Sequence, residues 1–314
     1  MRSSLIFNTP VRKATIVLVA ALALLIGAVP VGAQSSTAKP AFNPNTVVSS
    51  DGSMPAAASA EAIGQTYSPA FAGQGGAGKG AVIALPRLRG VTAGAEPESI
   101  IGPDNRYPIS NTKAYPARAV ALMTMSTGRC TAWMIGADTA VTAGHCVFDG
   151  GAWSTNVRIY PGYTGTSAPY GYCTARRLYS VTGWTVSGNS DYDYGAVKLN
   201  CKVGNTVGWF GFRWQSATLN GQGTIVQGYP GDKPYTQWAA NDFVRVTYAR
   251  KIFYANDTTG GESGSPVYNA ISGCNPCSIA VHTNGVGLYG QPYNSGTRIT
   301  QDVFNNLIAW RNAA

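Results

Sequence analysis

From residue 118 to residue 285 the chain is a succession of short β-patterned segments, and no other feature restricts its possible folds as much. RAVALMTM, TAWMIGADTAVTA, NVRIYPG, GAVKL, GTIVQGYP, FVRVTYARKIFYA, SPVYNA and SIAVHTNG alternate or are rich in β-branched residues, with Gly, Asn and Asp turns between them. Only the tail reads as helix. In TQDVFNNLIAWRN, Thr300 is placed to cap, and Val303, Phe304, Leu307 and Ile308 share one face. Residues 99–314 therefore predict an all-β protein, a double barrel or a sandwich, with one terminal helix.

The residues ahead of these strands differ in kind. Arg2, Arg12 and Lys13 precede the apolar run ATIVLVAALALLIGAV (14–29), and VGA (31–33) supplies small residues for cleavage. The run is short for a membrane span, so residues 1–33 are expected to be a secretory signal peptide cut after Ala33, with a retained anchor as the alternative. Residues 34–98, rich in Ala, Gly, Ser and Pro, are expected to be a propeptide or linker, weakly structured on its own. Export would place the six cysteines, all beyond residue 129, in an oxidising compartment. From Ser99 onward 16 Lys and Arg stand against 10 Asp and Glu, a net of 16 − 10 = +6. These basic residues are scattered, so no nucleic-acid partner is expected.

Three short strings carry the chemistry. The chain has two histidines, and the first, His145, lies in VTAGHCV after a strand-like DTAVTAG. Asp193 in SDYDYGAVKL stands just before an apolar strand, and Ser263 lies in the glycine-rich TTGGESGSPV. A serine hydroxyl is a poor nucleophile, so it needs a base to take its proton and a carboxylate to orient that base. Glycines beside it let the backbone turn tightly and aim N–H groups at a developing oxyanion. The order His, Asp, Ser argues against hydrolases of the α/β type, which run Ser, acid, His.

TAGHC, DYGAVKL and GESGSP resemble the three catalytic segments of chymotrypsin-fold serine proteases, and among these the secreted bacterial glutamyl endopeptidases. The resemblance covers essentially all of 99–314, including SIIGPDNR, GNTVGWFGF, GYPGDK and CNPCSIAVHTNG. It implies two six-stranded antiparallel β-barrels, one over about 99–205 and one over about 206–298, with a C-terminal helix over about 300–312. It implies His145 as general base, Asp193 as its orienter in preference to nearby Asp191, and Ser263 as nucleophile. The N–H groups of Gly261 and Ser263 would form the oxyanion hole. It also implies disulfides Cys130–Cys146 and Cys173–Cys201. Cys274 and Cys277 form a C-x-x-C that in a cytosolic chain would suggest redox or metal chemistry; exported, with no further ligand nearby, it reads as a tight structural disulfide. No metal and no cofactor are expected. Glu262 departs from the neighbour usual before such a serine, and its role is left open.

Specificity has two readings. Asp257 lies six residues before Ser263, where trypsin-like enzymes place the acid that binds Lys or Arg. Against this, His282 in AVHTNG and Thr258 match the residues with which the glutamyl endopeptidases hold a P1 glutamate carboxylate, His282 through an N–H and, if protonated, a charge. Glutamate usage agrees with the second reading. Three of the four glutamates, Glu61, Glu96 and Glu98, precede Ser99, and Glu262 alone follows it. A chain of this length would ordinarily carry on the order of ten there. The resemblance implies maturation at Glu98–Ser99, with the new N-terminus at Ser99 packing near the S1 pocket. The expectation is a secreted, extracellular, monomeric serine endopeptidase that acts on protein and peptide substrates, cuts after Glu and less readily after Asp, and touches no membrane once the signal is removed. A basic-P1 protease using Asp257 and a non-catalytic binding protein on the same fold are the alternatives.

Overall fold

The computed structural model describes residues 41–56, 67–76, 81–82, 85 and 99–314. The signal peptide, the Glu98–Ser99 junction and Glu61, Glu96 and Glu98 lie outside the described residues, apart from Ser99 itself.

The first barrel closes through six antiparallel strands. In spatial order they are Cys173–Val181, Arg158–Pro161, Val120–Met125, Gly128–Met134, Thr139–Thr142 and Gly195–Leu199, and the last pairs back onto the first. Val120–Met125 and Gly128–Met134 form a hairpin in register from Val120↔Trp133 to Met125↔Gly128. Both are buried along their whole length, because one face fills the barrel and the other is covered. TAWMIGADTAVTA, read as one segment, thus folds as two strands joined by a turn.

The second barrel closes in the same way, through Pro266–Ile271, Gly223–Gly228, Trp238–Thr247, Lys251–Tyr254, Asn294–Arg298 and Cys274–Asn284. Asn294–Arg298, sequence NSGTR, has no apolar pattern, yet every residue in it is buried. Its order comes from backbone ladders to the strands on either side. The architecture is all-β, two closed six-stranded antiparallel barrels of the chymotrypsin type, ending in the helix Gln301–Asn312. Thr300 caps that helix by accepting from the Val303 N–H. Val303, Phe304, Leu307 and Ile308 are buried as their spacing predicts, and Trp310 stacks on Tyr179 of the first barrel at 5.7 Å and 7°.

The described parts of 42–76 borrow their order from the barrels. Val47–Ser49 adds a strand to the outside of Cys173–Val181, Tyr67–Ser68 pairs with Gly211–Arg213, and Phe71 packs on Trp209 at 4.4 Å. Strands of two and three residues form no sheet among themselves, which fits a composition with little to bury. The disulfides are Cys130–Cys146, Cys173–Cys201 and Cys274–Cys277. The first ties the strand Gly128–Met134 to the turn Gly144–Val147 that carries His145. Among the described residues no helix is long and apolar enough to cross a membrane.

Candidate active site

Two adjacent strands of the first barrel deliver a histidine and an aspartate to one place. Thr139–Thr142 runs into the turn Gly144–Val147, and Asp193 precedes Gly195–Leu199, whose Gly195 pairs with Thr142. Both side chains are buried. The Asp193 carboxylate grips its neighbour twice: Oδ2 lies 2.8 Å from His145 Nδ1, and Oδ1 accepts the His145 backbone N–H at 2.9 Å. Gly144 makes this approach possible, since a Cβ there would stand 2.9 Å from Asp193 Oδ1. Burial alone would push the Asp193 carboxyl up. The charge and hydrogen bond of His145, with the nearby Lys251 ammonium, reverse that and hold it below the usual carboxylate range. Asp191, by contrast, accepts from the Tyr289 hydroxyl at 3.1 Å. The carboxylate on His145 is therefore Asp193, as its place before the strand implies.

Ser263 comes from the second barrel, in the turn before Pro266–Ile271, and its backbone is pinned to both barrels. Its carbonyl accepts the Thr131 N–H at 2.9 Å, and the next residue, Gly264, donates its N–H to the His282 carbonyl at 2.8 Å. Gly264 has φ +88°, and a Cβ there would lie 2.2 Å from Thr142 Oγ1. Only glycine lets the serine turn rest against the strand that leads to His145. The Gly261 carbonyl is fixed by the Thr131 hydroxyl at 2.9 Å, which sets the plane of the peptide that follows it.

Glu262 faces inward. It is buried, its Oε2 accepts the Thr259 N–H at 2.9 Å, and it lies 3.9 Å from Arg106. The Arg106 guanidinium forks onto Asp232 at 2.9 and 2.7 Å, and also holds Asp104 and the Thr259 hydroxyl. Burial works against its charge, but hydrogen bonds to Asp104 and Asp232 and the nearby Glu262 raise its pKa above the ordinary arginine value. This network joins residues far apart in sequence, and no local signal marked it.

Beside the serine turn, Thr258 is fully buried, and its hydroxyl has no hydrogen-bond partner among the described residues. His282 is also buried, with Nδ1 at 2.7 Å from the Tyr254 hydroxyl. Burial, and then the positive charges of Lys251 and His145, push His282 down to about 3. It is therefore neutral at ordinary pH, so the conditional charge expected of it is not there and only its hydrogen bonding remains. Ser99 sits next to Thr258: its carbonyl accepts the Thr258 N–H at 3.2 Å and the Asn294 amide at 2.6 Å, and its N–H donates to Asn294 Oδ1 at 3.1 Å. Asp257 does not line an open floor. It is fully buried, with Oδ1 accepting the Ile101 N–H at 2.7 Å and Oδ2 the Asn105 N–H at 2.8 Å. Both oxygens accept from the segment after Ser99, and the carboxylate is closed off from solvent.

The trypsin family profile matches residues 108–283. The chain is 47% identical to the glutamyl endopeptidase of Bacillus licheniformis over 224 residues, covering 69% of this chain and 70% of that protein. It is 41% identical to a Bacillus subtilis protein named extracellular metalloprotease over 286 residues, covering 88% and 90%. A solved structure of a Glu endopeptidase in complex with MPD superposes with a TM-score of 0.62 at 29% identity, covering 67% of this chain and 99% of that one. The second relative's name implies a metal. Among the described residues the one group of three metal-type donors is Cys130, His145 and Cys146, and these do not fit an ion: the two sulfurs are bonded to each other, and His145 Nδ1 faces Asp193.

Proposed function

Because the chain belongs to the trypsin family of serine endopeptidases and is a homologue of glutamyl endopeptidase, we propose that it is a secreted enzyme which hydrolyses peptide bonds after Glu, and less readily after Asp. In this reading Ser263 Oγ adds to the P1 carbonyl carbon while its proton passes to His145 Nε2, and Asp193 holds the imidazole through Nδ1. The carbonyl electron pair moves onto oxygen, where the N–H groups of Gly261 and Ser263 receive it, each worth roughly 3–4 kcal/mol in the transition state. His145 then protonates the leaving amine as the C–N bond breaks, and water, deprotonated by the same imidazole, hydrolyses the acyl-enzyme.

The observation that carries the Glu preference is the wall beside the nucleophile. It offers the buried Thr258 hydroxyl, which has no partner among the described residues, and a neutral His282, while the Asp257 carboxylate is tied up by backbone amides. A P1 carboxylate would satisfy that hydroxyl, and an arginine or lysine would find no counter-charge. The lone glutamate after Ser99, Glu262, is buried and so withheld from self-cleavage.

Maturation belongs to the same proposal. Cleavage at Glu98–Ser99 follows the enzyme's own rule, removes a propeptide (34–98) that follows the signal peptide (1–33), and leaves an α-amine at Ser99 beside Thr258. An N-terminally extended form is expected to cleave Glu substrates poorly. Paired peptides with P1 Glu and P1 Arg test the specificity: Glu is expected to be preferred by orders of magnitude, and equal or reversed rates would end the proposal. N-terminal sequencing of secreted wild type beside Ser263→Ala tests self-processing, for which the variant stalls ahead of Ser99. A monomer that binds no nucleic acid and needs no cofactor completes the reading.

A further inference from the structure

Two stretches ahead of Ser99, residues 42–53 and 67–76, lie against the barrels. The first adds a strand to Cys173–Val181, where Tyr179 pairs with Ser49 on one side and Ala196 on the other. Past the end of that strand the Thr182 N–H donates to the Thr46 carbonyl at 2.9 Å, and the Gly183 N–H to the Pro44 carbonyl at 2.8 Å. Arg177 Nε donates to Asp51 Oδ2 at 2.7 Å and closes the other end. Asn45 joins Arg250 of the second barrel to Asp302 and Asn306 of the C-terminal helix.

The second stretch is seated on glycine. Phe71 and Trp209 exchange backbone hydrogen bonds at 3.0 and 2.8 Å, and the Gln74 and Gly75 N–H groups donate to the carbonyls of Asn205 and Thr206. Gly73 and Gly208 meet across this seam. A Cβ on Gly73 would stand 2.4 Å from Gly208 N, and one on Gly208 would stand 2.3 Å from the Phe71 carbonyl oxygen. Both have positive φ, +77° and +80°. Two backbones approach this closely only where neither carries a side chain.

We propose that the edge of Cys173–Val181 and the segment from Asn205 to Gly211 form a two-site docking surface for this chain's own residues 42–76. A cut ahead of Ser99 takes residues 34–98 off the chain, and the docked contacts keep them on the protein as a non-covalent subunit. At the first site recognition is by strand addition: backbone pairing holds the segment, and the Asp51–Arg177 pair fixes its register. At the second the glycine seam admits only a segment with glycine at the matching place. Once the chain is cut, docking must offset roughly 4–15 kcal/mol of lost translational and rotational freedom. A single three-residue strand would not suffice. Two stretches joined by a short run do better, because when one lets go the other holds it nearby at an effective concentration on the order of mM. The inference rests on the maturation reading only in that the chain is cut, and the test makes that cut itself.

The test uses full-length Ser263→Ala protein in which residues 88–94 are replaced by the recognition sequence of an added protease. After the cut, the sample is separated by size exclusion in native buffer and each peak is read by mass spectrometry. The fragment carrying 42–76 is expected to elute with the barrels, and its elution alone would overturn the inference. Gly73→Ala and Asp51→Ala, both outside the barrels, should each speed release about 10-fold. Release as slow as without them, in both variants, would also overturn it. If the variants do not fold, hydrogen exchange on the cut complex decides. The Thr182 and Gly183 amides should be protected, because their acceptors lie on the cut fragment, and exchange at the rate of free amides overturns the inference. Secreted wild type that is never cut at Glu98–Ser99 would end the maturation reading and leave this result standing, whereas a released fragment ends this inference and leaves that reading standing.

Discussion

Each barrel buries a lysine, and the two are accommodated differently. Lys198, in the first barrel, pairs with Asp138 at 2.8 Å and donates to the Arg311 carbonyl at 2.9 Å, which fastens the C-terminal helix to the barrel. Lys251, in the second, meets neutral acceptors alone. The same division holds around the active site. The first barrel's contribution is internally satisfied, with both Asp193 oxygens placed on His145. The second barrel's contribution includes a hydroxyl without a partner among the described residues, at Thr258, and an ammonium held by neutral acceptors, at Lys251.

The comparison can be broken most forcefully at the chemistry, where the barrels must act as one. Ser263→Ala and His145→Ala should each lower kcat by about a millionfold while the protein still folds, as read by peptide hydrolysis and thermal unfolding. Retention of more than a hundredth of the activity in either would remove the triad. Asp193→Asn should cost about 10⁴-fold, because the amide cannot hold the imidazole in the same tautomer. Thr258→Val, which removes the uncompensated hydroxyl, should lower kcat/KM for a Glu peptide about 10- to 100-fold, chiefly in KM, with little change in melting temperature. An equal loss on Gln and Glu peptides would show that the hydroxyl binds the side-chain oxygen without selecting its charge. Lys198→Met should do the reverse. It leaves Asp138 with only the longer contact to Arg176 at 3.4 Å and a hydrogen bond from Thr139, and it loosens the helix, so about 1–3 kcal/mol of stability is lost, seen as a fall of several degrees in Tm with the Glu/Gln ratio intact.

The last effect is electrostatic and leaves activity near neutral pH out of the readout. His282 has a folded pKa near 3, below the value of 6.5 it has when exposed. Between these values the unfolded chain takes up the proton that the folded one refuses, so this residue makes stability fall as pH drops from about 6.5 towards 3. His282→Gln should flatten that part of the pH dependence of the urea midpoint relative to wild type. A slope identical to wild type would mean that His282 is not held neutral in the fold.

How much was legible beforehand follows from the range of the interactions involved. The strands at Val120–Met125, Gly195–Leu199 and Gly223–Gly228 were readable because alternation and turn residues are local signals. Cys173–Val181 was not, since CTARRLYSV alternates poorly and carries a bulge between Ala175 and Arg177. Asn294–Arg298 was hidden altogether, being polar in sequence and buried in fact. In the site, the candidates His145, Asp193 and Ser263 stood out through their short strings. Asp257 misled in isolation, because spacing to the serine cannot reveal that the amides of Ile101 and Asn105, over 150 residues earlier, occupy its oxygens.

The amino-acid sequence alone pointed to the class of fold, to three candidate reactive side chains and to the scarcity of glutamate after Ser99, all of which reside in composition or in runs of fewer than a dozen residues. The tertiary structure decided the electrical character of the site: that Asp257 is sealed, that Glu262 is buried near Arg106, that His282 is neutral and that Lys251 is buried on neutral acceptors. The physical reason is that a side chain's charge state depends on the solvent and partners removed around it, and those are set by strands which meet only when each barrel closes.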